Sequence, residues 1–194
     1  MNQYFYLLSP RFFSRLGVVG IICFFLASCS SSSEEEASQF EKPFFDFPAY
    51  FQSEIERLND SSPKFKKEVT FNDVMEPQDF KQVDFSKELK LFAAIDINRR
   101  ALMDKYHSDS ILVNDQMDRL TYMALDSSLN IRSIMVDYEE GEIAQIDIYK
   151  KQKNFVGFSQ QHLRYKPQEG YTISSAQKII FSDPKTLKIE TSFR

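Results

Sequence analysis

The 194 residues include no tryptophan, two cysteines, two histidines, five glycines and seven prolines. Two cysteines cannot build a disulfide scaffold. So little glycine and proline excludes collagen-like and linker-dominated chains. Histidine is the usual proton carrier at neutral pH, and two of them leave few starting points for acid–base chemistry. Basic residues are outnumbered, 24 against 28, for a net charge of −4. That balance argues against a nucleic-acid module, which normally presents a basic face. What the chain does have is phenylalanine (19) and tyrosine (9), with 42% hydrophobic and 27% charged residues. This supports one domain with a real core, and two full domains would not fit.

Residues 1–33 contain no acid. Arg11 and Arg15 precede an uncharged run, Leu16–Ala27. Twelve residues are about half of the ~20 that a membrane span needs, so the pattern reads as an export signal with a long basic region. The run ends in Leu26-Ala27-Ser28-Cys29. This resembles the lipobox of bacterial lipoprotein signal peptides, and the chain as a whole resembles small Bacteroidota envelope lipoproteins. The resemblance implies that the Cys29 thiol is diacylated, that cleavage falls before Cys29, and that the new amino terminus is acylated, with palmitate-class chains. Lipid attachment there would consume one thiol, and Cys23 would leave with the signal. The mature chain, 29–194, would carry no thiol, and losing Arg11 and Arg15 would take its net charge from −4 to −6.

Ser30–Ser33 and Glu34–Glu36 follow, so 29–39 is expected to be a hydrated Ser/Glu-rich tether. Ser30, in place of an aspartate directly after the lipid cysteine, resembles outer-membrane sorting. The Ser-plus-acid run resembles the surface-export signal of Bacteroidota lipoproteins. Cell-surface and periplasm-facing locations both stay open. The expected organisation is a signal peptide at 1–28, a tether at 29–39 and a single domain at 40–194.

In the body, Asp46 and Pro48 mark a helix start, and Phe47, Phe51, Ile55 and Leu58 recur at helical spacing. Such a face covers a sheet, or else forms an exposed aromatic patch. Residues 64–71 suit a strand with Phe65, Val69 and Phe71 on one face. Residues 72–85, with Pro77 and many acids, read as irregular. Ser86 is placed as the cap of a second helix carrying Leu89, Phe92, Ala93 and Ile97. Residues 98–110 show no clean period. From about 116 the alternation is of period two, with turns at Glu139–Gly141, Pro167–Gly170 and Asp183–Lys185. Inward positions include Ile134, Val136, Ile146, Ile148, Leu163, Tyr165, Tyr171, Ile173, Ile179 and Phe181. Short connections imply antiparallel neighbours. The expected fold class is α+β: two N-terminal helices on a curved, mainly antiparallel meander of five to seven strands. A β-sandwich or partly open barrel is the alternative.

No recognised catalytic motif occurs, and no cofactor is expected. His107, near Asp104 and Asp109, lacks the acid spacing and turn glycine of a calcium loop. His162 alternates with Gln160 and Arg164 on the polar side of a strand. Tyr138, Tyr149, Tyr165 and Tyr171 are candidate stacking surfaces. Arg99-Arg100 is a basic pair, and Lys150, Lys151 and Lys153 fall at a hairpin tip. The expected function is a non-enzymatic, lipid-anchored envelope protein of the outer membrane. Its contacts would be membrane lipid through Cys29 and an envelope protein partner. A carrier or sensor of a small apolar ligand, and a hydrolase with an unrecognised site, are the alternatives.

Overall fold

The computed structural model describes residues 42–78 and 83–193. Helix α1 is Phe47–Ser61. Asp46 caps it, its carboxylate accepting from the Ala49 N–H at 3.3 Å, and Pro48 occupies the first turn, where its missing N–H costs nothing. Ser62 ends it in a left-handed conformation, donating its N–H to the Leu58 carbonyl at 2.9 Å. Phe47, Phe51, Ile55 and Leu58 are all buried.

The strands are β1 (Phe65–Phe71), β2 (Val74–Gln78), β3 (Tyr106–Val113), β4 (Gln116–Ala124), β5 (Ile131–Glu139), β6 (Glu142–Asn154), β7 (Gly157–Lys166), β8 (Gly170–Ile179) and β9 (Lys185–Phe193). They form one antiparallel sheet in the order β2-β1-β9-β8-β7-β6-β5-β4-β3. The run from β3 to β9 is a meander. The β1–β2 hairpin attaches to β9, so the two ends of the chain's β-structure meet inside the sheet.

This corrects the expected fold class: among the described residues nine strands replace five to seven, and three helices replace two. β2 lies where 72–85 read as irregular. It is an edge strand, and an edge tolerates Pro77. β3 lies where no period was visible. Of its residues only Tyr106 is buried, so little alternation is imposed on the sequence. The second helix is divided at Leu89 (φ −92, ψ 5) into α2 (Phe85–Glu88) and α3 (Lys90–Ala93). Its cap is Asp84, which accepts from the Ser86 N–H at 3.1 Å, rather than Ser86 itself. A sandwich is also overturned, since all nine strands belong to a single sheet.

The helices cover one face. Ile134, Val136, Ile146, Ile148, Leu163, Tyr165, Tyr171 and Ile173 point at them and are buried. The space between is filled by rings: Phe51 meets Tyr165 edge-on at 5.2 Å and Phe92 at 5.3 Å, and Phe92 meets Tyr171 at 5.7 Å. Two carboxylates anchor helices to sheet. Glu54 on α1 accepts from the Tyr165 hydroxyl and from Arg57 at 2.9 and 2.8 Å. Glu88 on α2 accepts from the Tyr171 hydroxyl and from Lys67 at 2.8 Å. Asn98, 5% exposed, pins the approach to α1, accepting from the Phe44 N–H and donating to the Phe44 and Phe45 carbonyls.

These tyrosines give a pH prediction. Burial first, and the Glu54 or Glu88 carboxylate next, hold Tyr165 and Tyr171 far above the ordinary value of 10.0. Above pH 10 the unfolded chain releases those protons and the folded one keeps them, so stability falls as pH rises. Each tyrosine is expected to contribute a loss of about 1.4 kcal/mol per pH unit there. Urea titrations between pH 8 and about 11.5 check this. Tyr165→Phe should remove one tyrosine's share of the slope, and an unchanged slope contradicts the assignment.

Candidate functional site

The face turned away from the helices is built by the other parity of the same strands. Its middle is one cross-strand row. Tyr149 on β6 lies opposite His162 on β7, His162 opposite Ser174 on β8, Ser174 opposite Lys188 on β9, and Lys188 opposite Thr70 on β1. The next row runs Gln160, Ala176 and Thr186. Small side chains on β8 stand between longer ones on both sides. The result is a groove of about 400 Å³ along β8, walled by Tyr149, Gln160 and His162 on one side and by Thr186, Lys188 and Thr70 on the other.

One turn of the pleat from the groove lies a charged cluster. Asp147, with its side chain only 13% exposed, takes Arg164 Nε at 2.9 Å and His162 Nε2 at 3.0 Å, and Gln145 donates to its other oxygen. The carboxylate is occupied by neighbours on its own sheet. It orients His162 and holds the groove's wall. Among the described residues no buried polar side-chain atom lacks a partner.

The structure separates the residues singled out from the sequence. His107 lies on the exposed edge strand β3, while Asp104 pairs with Lys105 at 2.9 Å, which holds its carboxyl below the usual value. No group of three or more His, Cys, Asp or Glu able to hold a metal ion occurs among the described residues. Tyr165 and Tyr171 are core residues, whereas Tyr149 reaches the groove. Arg99 pairs with Asp96 at 3.4 Å. Cys29, the lipobox and the Ser/Glu tether lie outside the described residues.

Sequence reasoning missed the far end of the sheet. Helix α1 has 15 residues and β6 has 13. At ~1.5 Å and ~3.3 Å per residue the strand outruns the helix by roughly 20 Å. β6 to β9 therefore continue as a ribbon beyond the helical cover. Ile179 shares the parity of Tyr171 and Ile173 yet is 44% exposed, because none of the described helices reaches over it, and Phe181, 105% exposed, lies past the end of β8 in a left-handed turn where strand parity no longer applies. The available signal was the lysine-rich, acid-free stretch around the β6–β7 turn. Comparisons with protein-family models, with curated proteins and with solved structures find no match to this chain.

Proposed function

We propose that the chain is a lipid-anchored protein of the cell envelope, tied to the outer membrane through Cys29, which acts by binding a protein partner as an accessory or assembly factor rather than by catalysis. The supporting observation is the open groove along β8. It is open, runs along β8 between walls on both sides, and combines apolar surface at Ala176, Leu187 and Tyr149 with hydroxyl and amide groups at Ser174, Thr186 and Gln160, which suits reversible recognition of an extended segment. Beside it, Ser174 is the cross-strand neighbour of His162, whose Nε2 lies 3.0 Å from Asp147, a carboxylate shared with Arg164 and Gln145.

Two measurements test this reading. Cys29→Ala is expected to abolish incorporation of labelled palmitate and to release the protein from membranes under a high-salt wash, because two or three acyl chains give firm anchoring and their loss removes it. A variant that still takes up palmitate, or resists the wash, contradicts the anchor. A photo-crosslinker at Ala176, on the groove floor, is expected to capture one envelope protein in intact cells. The same probe at exposed Glu56 on α1 should not capture it. Equal capture from both positions would defeat the groove as the contact surface.

A further inference from the structure

The uncovered end of the sheet carries a second surface, distinct from the groove. At the β6–β7 tip Phe155 is 91% exposed and Val156 half exposed, and at the β8–β9 tip Ile179, Ile180 and Phe181 are exposed. The two tips touch: the Ile180 N–H donates to the Val156 carbonyl at 2.9 Å. The β1–β2 turn is joined to β9 through Asn72 and Thr186, and it adds exposed Phe71, Val74 and Met75. This places large apolar side chains from three hairpins together at one end of the sheet.

The turns hold these side chains outward at some cost. Phe181 sits at φ 63, a left-handed conformation that a bulky side chain rarely adopts, in a turn closed by the Ser182 N–H on the Ile179 carbonyl. Asn154 accepts from the Val156 and Gly157 N–H groups, which fixes the other turn with Phe155 at its point. The two tips are basic in a chain that is acidic overall. Lys151, Lys153, Lys178 and Lys185 are exposed and form no ion pair with the described residues; Asp183 is the acid at these tips, and Asp73 and Glu76 lie on the neighbouring β1–β2 hairpin.

We infer that the β6–β7 and β8–β9 tips insert shallowly into the surface of an anionic phospholipid bilayer, as a contact additional to the acyl chains. Exposed aromatic and aliphatic side chains ringed by lysines match such a surface in both layers: hydrocarbon receives the rings, and phosphate groups receive the ammonium groups. If Cys29 is anchored as proposed above, the 13 residues from Cys29 to Lys42 reach at most ~45 Å, so the domain stays close to the bilayer. Two lipid contacts at separate places would fix the domain's orientation and leave the groove face open to a partner.

The absence of tryptophan makes the test clean. Phe155→Trp and Phe181→Trp are made singly in the full chain, which is reconstituted into vesicles with or without anionic phospholipid. The expected result is blue-shifted emission, quenched by brominated acyl chains, in the anionic vesicles. Replacing the four lysines with glutamine should weaken this at least tenfold, judged by the anionic-lipid fraction or salt needed. Water-exposed emission in both vesicle types overturns the inference. So does a blue shift without acyl-chain quenching, which would put protein rather than lipid on the tips. Palmitate incorporation in the same preparation reports the anchor separately, so failure of one does not imitate failure of the other.

Discussion

Phe51→Ala is expected to destabilise the domain by about 3–5 kcal/mol, a large part of the 5–15 kcal/mol typical of a whole domain. Phe51 is fully buried and lies where α1, α3 and the sheet converge, within ring-contact distance of Tyr165, Phe92 and Tyr50. Those neighbours are themselves held, Tyr165 by Glu54 and Phe92 by α3 against Tyr171, so the cavity cannot close cheaply. The urea midpoint should drop with little change in slope. Phe155→Ala removes the same atoms from the β6–β7 tip and should cost less than about 0.5 kcal/mol. If the two substitutions cost the same, the assignment of α1 to the core face is wrong.

Gly170→Ala is the second large effect, with an expected cost of about 2–5 kcal/mol. Gly170 opens β8 at φ 140, a conformation that side chains rarely adopt. An added Cβ would stand 2.3 Å from the Thr191 carbonyl oxygen and 2.8 Å from its carbon. Both are backbone atoms of β9, held by pairing with β1 and β8, so neither can turn aside as a side-chain tip would. Gly141 separates the two contributions. It lies at φ 86 with open space around its Cβ position, so Gly141→Ala pays the conformational cost alone, about 1 kcal/mol. A Gly170→Ala protein as stable as the parent would mean that the β8–β9 register is not the one described.

Elements with one wet and one dry face announce themselves in the sequence. Phe47, Phe51, Ile55 and Leu58 give α1, and the alternation through Ile146–Ile148 and Leu163–Tyr165 gives the central strands, because burial on one side writes a period into the chain. Where both sides are wet, no period is written. β3 runs from Tyr106 to Val113 with only its first residue buried, and β2 carries Pro77 where edge position makes it harmless. The break at Leu89 is a matter of local dihedrals within an apolar stripe that would suit one continuous helix.

The groove was illegible for a different reason. His162 could be placed on an open face, but its neighbours Tyr149, Ser174 and Lys188 come from three other strands, and one residue's slip in register would replace them all. The exposed tips were hidden by the parity rule itself. Parity tells which way Ile179 points, and only the relative lengths of helix and strand tell that no described helix covers it; Phe181 escapes the rule because the strand ends at Ile179 and a left-handed turn begins.

The proposed attachment to lipid is through the thiol of Cys29. Mass analysis of the N-terminal peptide from membrane-purified protein tests it directly. The account predicts a first residue at Cys29 carrying two or three acyl chains. A peptide that retains residues before Cys29, or an unmodified Cys29, contradicts it.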